Sequence, residues 1–413
     1  MILSNQKNSK YEQPFTLKIL DANFDLVTLI SYDNLQWDRL FNTVGKFVIQ
    51  GVTGAQEGYS RSRWKYVYTE KRKELGIISQ INFKKDENRK TLTISGMFLE
   101  CEVNKMVCYS KPTAFADSAG TNYGTSILST GSPQWVTAEG TADVVARAFY
   151  NGFKQISFRN YLVGDFEGTR GLVDKTFALD IVWGSIAAGT YNYSIHNRNN
   201  EKLGNKLYDI LRESYGSYEV VLDYATKTKI INIIHGIIRT QSGHEQGVNP
   251  VLLSTKNGSV KRANIVESNT NTKDATIQYL EDEDKTLILA NALPDSVGRF
   301  EALSMASNQA DFIKEDTPDK AAADRLHKLS VMADASTRLH DLEDVVNIQF
   351  DFVNSSYKYM EDFDLGDVIS IDIPEIDVSM DAQIVACHEV VKAGVWSMSI
   401  EVGKQIIRKR GNE

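Results

Sequence analysis

The sequence is short of most features that announce a chemistry. Three cysteines, Cys101, Cys108 and Cys387, form no C-x-x-C pair. An odd, scattered set does not make a disulfide framework, and the chain reads as one folded in a reducing cytoplasm. Cys101 stands in the apolar run MFLECEV and is expected to be a small buried hydrophobe. No stretch approaches the ~18 consecutive apolar residues of a membrane span. The opening MILSNQKNSKYEQ has no apolar segment followed by a cleavage site, so it is not a signal peptide. Positive charge is not in excess: 46 Lys and Arg face 54 Asp and Glu, for a net charge of −8. That balance argues against a dedicated nucleic-acid binder, which would carry a basic stripe.

Catalytic and metal signatures are missing too. The histidines, His196, His235, His244, His327, His340 and His388, include no HExxH and no pair at i, i+4. His327 and His340 fall on one predicted helix but not at ligand spacing. His235 precedes Gly236 and reads as a packed or turn histidine. GxSxG and GxxxxGK[ST] do not occur. Gly120, Gly124 and Gly131 lie in a Ser/Thr-rich loop rather than between a strand and a helix, so no phosphate cradle is implied. The acidic run Glu281, Asp282, Glu283, Asp284 reads as a solvated turn. Asp362, Asp364 and Asp367 have the start of a calcium loop without the rest of it, and also read as a turn. One basic, aromatic stretch remains: Arg61, Arg63, Trp64, Lys65, Tyr66, Tyr68, Lys71, Arg72 and Lys73. A strand or loop edge kept soluble by its lysines is preferred there over a nucleic-acid patch, with partner contact in an assembly as the middle option. No catalytic, cofactor-binding or metal residue is assigned.

What is present is β structure. The 42% hydrophobic and 24% charged content suits a folded protein, and 413 residues call for more than one core. After a polar arm, Phe15–Leu20 and Leu26–Ile30 flank the turn formers Asp21, Asn23 and Asp25, which predicts a hairpin. Apolar residues alternate around Trp37, and Gly45 marks a bend before KFVIQ. LGIISQINF and KTLTISGMFLECEV predict a second hairpin across KKDENRK. Residues 109–138 read as a long loop or connection. Thr141 is placed to cap a helix from Ala142 to about Phe153. Residues 158–200 read as loop-rich with one strand at FALDIVW. Leu203, Leu207, Ile210 and Leu211 share a helix face, and YEVVLDY and KIINIIHGII follow as an α-β-β unit. DKTLILANAL is read as a further strand. Thr317-Pro318-Asp319 opens a predicted helix to Val346 with a stripe of Leu326, Leu329, Met332, Leu339 and Leu342. VNIQFDFVN, DVISIDIP, SMDAQIVACHEVV and WSMSIEVGK close the chain as strands.

Four segments, in order, resemble the siphophage tail-tip or baseplate hub family, the tail-associated (Tal-type) proteins, related in architecture to the contractile-phage baseplate hub. They are LKILDANFDLVTLISYDNLQWDRLFNTVGKFVI, then ELGIISQINFKKDENRKTLTISGMFLECEV, then IIHGIIRT with VLLSTKNGSVKRANIVES, and last YKYMEDFDLGDVISIDIPEIDVSMDAQIVACHEVV. They cover about half the chain, and it is their order and spacing, not any single motif, that carries the likeness. The resemblance implies an α+β, mostly β fold: two small tail-tube-like β-barrels plus smaller α/β domains, assembling as a trimer with pseudo-sixfold symmetry. It implies a first barrel in residues 1–110, an α/β intermediate domain in 111–216, strands of the second barrel with an inserted β domain in 217–317, and a helix and closing strands in 318–413. The strands near 217–260 and 347–404 would share the second barrel.

The function so implied is a structural tail-tip hub that closes the tail tube at the distal end of the virion and links the distal tail protein to host-recognition proteins. Expected partners are two further copies of the chain, a hexameric distal tail protein, a tape-measure protein and receptor-binding proteins. DNA would pass through the ring without specific binding. No catalysis and no cofactor are expected, since the chain stops soon after its last strand, where relatives carry lytic extensions. Two alternatives stand beside it. A virion-associated cell-wall or polysaccharide hydrolase would use the acidic clusters. A host-saccharide-binding module would use the loops around Tyr123 and Trp135.

Overall fold

The computed structural model describes residues 15–405 apart from 53–60, 86–89, 109–114, 117–121, 124, 127–136, 164–170, 185–191, 197–200, 213, 269–274, 283–284, 293–300, 306–318, 323–324, 326–344, 355 and 377. The chain is α+β and mostly β, as expected. It divides into two compact units, Met1–Asn264 with Ile348–Glu413, and Ile265–Asn347.

The first unit is built on one large sheet. Its N-terminal strands are β1 (Leu17–Leu20), β2 (Leu26–Ile30), β3 (Asn34–Leu40), β4 (Lys46–Gln50), β5 (Tyr66–Tyr68), β6 (Gly76–Lys85) and β7 (Lys90–Phe98). They run in the order β2-β1-β5-β6-β7-β4-β3, and the path continues through Val378–Lys392, Val395–Gln405, Val345–Phe352 and Val260–Ser268. Both predicted hairpins form, β1 on β2 and β6 on β7. The first turns because the Asp21 carboxylate accepts the backbone N–H groups of Asn23 and Asp25, at 2.9 and 3.1 Å.

Among the described strands the sheet is continuous and no closed barrel is seen. That continuity runs through Val378–Lys392, a strand of 15 residues. Its first half pairs with Val368–Ile373 and its second half with β3, while its other edge carries Val395–Gln405. One long strand therefore stitches the two ends of the chain into a single sheet.

The apolar core under β1–β7 centres on Trp37, Phe47 and Phe98, with ring centroids 4.8–6.3 Å apart. Gly96, in the S-G pair of the second resembling segment, is required by this packing. A Cβ there would lie 1.8 Å from the Ile77 carbonyl oxygen and 2.9 Å from the Phe47 ring. Beyond Phe98 the expected strand does not continue. Leu99–Lys105 is a 3₁₀ helix, with Leu99 and Val103 buried and Cys101 only half-buried. Leu99 and Val103 thus face the helical layer four residues apart, while Phe98 stays in the sheet core.

That layer holds α1 (Ala142–Phe153) and α2 (Leu203–Arg212), both where the periodicity put them. Thr141 occupies the N-cap in extended conformation, but its side chain makes no capping bond. Gly216–Asp223 and Thr228–His235 form the expected hairpin and share one core with both helices and the 3₁₀ turn. They pair with each other and with Val182–Trp183, not with the closing strands. From Ile238 onward the chain joins the large sheet, as Ile238–Arg239 and Leu252–Ser254 pair in parallel with Val368–Ile373.

Residues 158–200 hold more strand than expected: Gln155–Val163 pairs with Gly171–Ala178, and Asn192–His196 with Thr137–Thr141. A register shift between Phe158 and Tyr161 breaks the alternation that would have shown the first of these.

The second unit contains Ala275–Asp282 between antiparallel Lys285–Ala292 and parallel Glu301–Met305. The strand expected in DKTLILANAL is there. Residues 320–322 and 325 of the predicted long helix are helical, and its apolar stripe with His327 and His340 lies outside the described residues.

A charged joint as the candidate functional site

Where β3 meets Val378–Lys392, the inner face of the sheet changes from apolar to charged. Alternation sends Leu35, Trp37 and Arg39 of β3 to the same side. Arg39 is 2% exposed. Its Nε donates to Glu74 Oε1 at 2.6 Å and its Nη1 to Asp364 Oδ1 at 2.6 Å and to the Tyr359 hydroxyl. Burial pulls the guanidinium pKa down, but Glu74, Tyr359 and Asp364 outweigh it and hold it well above its ordinary value. Asp364 responds in kind: burial raises it, and the neighbouring Arg39 more than reverses that, leaving it low. Both partners are therefore charged.

A second arginine completes the joint. Arg72 grips Glu389 with two nitrogens, and Glu389, fully buried, also accepts the Trp396 indole N–H at 2.9 Å. Arg39 and Arg72 both lie against the Tyr359 ring, 5.7 and 5.5 Å from its centroid, and Arg72 also covers Phe15 at 4.8 Å. Lys73 pairs with Glu219. These contacts join segments more than 300 residues apart in sequence: Arg39 to Asp364, Arg72 to Glu389.

The turn read from DFDLGD supplies the C-terminal half. Gly366 has φ +95°, and a Cβ there would lie 2.2 Å from the Phe41 ring, so both its conformation and its space require glycine. The three aspartates are all engaged within the protein. Asp362 accepts the Lys358 N–H, Asp364 holds Arg39, and Asp367 accepts Ile237 N–H at 2.8 Å and Arg239 Nε at 2.7 Å. Among the described residues no group of acidic, histidine or cysteine side chains is arranged to hold a metal ion.

The basic, aromatic stretch is corrected by the same contacts. It is more than a soluble edge. Trp64 and Tyr66 are buried, Arg63 reaches Asp21 at 3.2 Å, and Arg72 and Lys73 bond inward. Of the histidines, His388 is the informative one. Its Nδ1 lies 2.9 Å from Asp38 Oδ1 on β3 and its Nε2 3.2 Å from Glu401, on the opposite side of the sheet from Arg39. His235 packs as expected, with Nδ1 3.3 Å from the Ser214 carbonyl oxygen, and His244 is exposed. Tyr123 lies in a two-residue strand beside Phe115–Ala116; Trp135, Glu283 and Asp284 lie outside the described residues. No local pattern singles out Arg39, Glu74 or Glu389. An arginine two places after a buried tryptophan on the inward register was the one available hint.

This geometry can fasten distant segments of the chain to one another. The family model for Siphovirus ReqiPepy6 Gp37-like proteins matches residues 175–404, more than half the chain. The chain belongs to that family. Among solved structures, a tail protein from Neisseria meningitidis aligns over 95% of this chain and 97% of its own, at 10% identity and a TM-score of 0.51, which shows a shared fold. A prophage MuSo2 43 kDa tail protein from Shewanella oneidensis aligns over 95% and 98%, at 9% identity and a TM-score of 0.49. A prophage tail protein from Listeria monocytogenes aligns over 94% of each chain, at 11% identity and a TM-score of 0.46. Among curated proteins nothing matches. The resemblance to siphophage tail proteins read from four sequence segments thus holds: the third and fourth fall inside the family match, and the fold match extends over nearly the whole chain.

Proposed function

We propose that this protein is a structural component of a siphophage tail, and more specifically the hub at its tip. On this reading it closes the tail tube at the distal end of the virion and links a hexameric distal tail protein to host-recognition proteins. The observation that carries it is family membership together with a fold in which both ends of the chain build one sheet, locked by the Arg39 and Arg72 joint. β1–β7 and the closing strands act as two tube-like modules. Three copies then offer six modules, which suits a pseudo-sixfold ring.

Catalysis has no part in this proposal: the carboxylates of the joint and its turn, Glu74, Asp364, Asp367 and Glu389, each serve an arginine. Light scattering on the purified chain, followed by negative-stain imaging, tests the hub. A mass near three times 46.3 kDa with ring-shaped particles is expected. A chain that stays monomeric both alone and with its distal tail protein would overturn the hub reading while leaving the family assignment intact.

A further inference from the structure

Between the charged joint and the helical layer lies a small cavity of about 30 Å³, lined by Arg39, Lys73, Glu74, Glu100, Tyr218 and Glu219 among others. Its cations are already engaged: Arg39 binds Glu74 Oε1 and Lys73 binds Glu219. Two carboxylate oxygens and one hydroxyl are left over. Glu74 Oε2, Glu100 Oε2 and the Tyr218 hydroxyl are buried with no geometric hydrogen-bond partner in the protein, and the two glutamates are each 8% exposed. An unmet buried acceptor of this kind is costly, the more so when it is charged, and a space of ~10–15 Å³ is enough to seat one water.

We propose that the cavity is a built hydration site, in which one internal water bridges Glu74 Oε2 on the sheet side to Glu100 Oε2 on the 3₁₀ turn. A water suits this place better than a fixed donor because Glu100 changes state within an ordinary pH range. Burial pushes its carboxyl up to about 7, against the Val220 N–H that it accepts, and the nearby charges of Glu74 and Glu219 add to the rise. When Glu100 is protonated the water accepts from it, and when it is ionised the water donates to it. The groups facing Glu100 are Glu74 and Lys73 from the segment before β6, Arg39 from β3, Tyr218 and Glu219 from Gly216–Asp223, Tyr208 from α2, and its neighbour Cys101. The site therefore gives the joint a proton-linked strength. A carboxyl raised on folding favours the folded state below its unfolded value, near 4.5, and that advantage is lost as pH rises through about 7.

The test is a crystal structure of the full-length protein together with urea unfolding from pH 4.5 to 8 of the wild type and Glu100→Gln. Expected are density for a water within hydrogen-bonding reach of both carboxylates and a smaller fall in unfolding midpoint for Glu100→Gln than for the wild type. A dry cavity in the wild-type crystal overturns the hydration site, whether or not the variant folds. Parallel pH profiles overturn the proton linkage.

Discussion

Trp37 and Arg39 stand two residues apart on the same face of β3, and both are buried to within 2% exposure by opposite means. Around Trp37 the neighbours are Phe47 and Phe98, and the contact is shape and area. Around Arg39 they are Glu74, Asp364 and Tyr359, and the contact is a set of directed bonds. Apolar packing of this kind tolerates exchange if volume is kept. A buried arginine does not: each of its donors needs one particular acceptor, and its removal leaves charges stranded. The apolar end holds the sheet together, whereas the charged end says which distant segment belongs beside it.

Arg39→Ala is the sharpest way to break this comparison. It strands the buried Glu74 carboxylate and leaves the partly exposed Asp364 without its cation, and a loss of about 3–5 kcal/mol is expected in urea or guanidinium unfolding. The companion variant, Arg39→Met with Glu74→Met and Asp364→Leu, removes the charges together. It should recover much of that loss, since apolar replacements of a whole buried ion cluster are often neutral or better. If the triple variant is as unstable as Arg39→Ala, the joint contributes net stability rather than register alone. Trp37→Phe keeps the apolar character and loses only part of the volume, so a cost of roughly 1–3 kcal/mol is expected, with the sheet intact by circular dichroism.

The same contrast explains what the sequence makes visible. Trp37 lies in an alternating run, and the pairings of β1 with β2 and of β6 with β7 follow from local turn and strand patterns. Both helices announce themselves by spacing, as Val145, Phe149 and Phe153 or Leu203, Leu207 and Leu211. Arg39 does not, because its acceptors are 35 and 325 residues away and no local rule connects them. Asp38 and Arg39, buried on opposite faces of one strand, even look like a polar break in the pattern. Leu99–Lys105 misleads for a different reason: its apolar residues fit a strand as well as a turn, and only the helical layer behind it decides.

His388 tests whether the opposite side of the sheet shares in the fastening. The hydrogen bond to Asp38 on β3 raises its pKa most, burial opposes, and Glu401 on Val395–Gln405 adds to the rise; Lys46 of β4 approaches Asp38 at 4.0 Å. A histidine raised on folding stabilises fully below its unfolded value, near 6.5, and that contribution fades as pH climbs through the higher folded value. His388→Gln should therefore flatten the unfolding midpoint above pH 6.5 while changing little at alkaline pH. An NMR titration placing His388 at or below the ordinary histidine value would remove this half of the fastening.

The smallest effect should come from an ion pair that looks equivalent on paper. Lys256 lies 3.1 Å from Asp372, on the same parallel junction where Arg239 meets Asp367 at 2.7 Å. The Lys256 side chain is 67% exposed and that of Arg239 16%. Water screens the first pair and must be stripped from the second, so Lys256→Ala should change stability by less than ~1 kcal/mol. Arg239→Ala should cost more, because Asp367 also anchors the Ile237 N–H and the turn at Asp364, and would keep a buried charge without its cation. Equal losses at the two sites would mean that the number of ion pairs, and not their burial, sets the strength of the junction, and the distinction drawn between Trp37 and Arg39 would lose its physical basis.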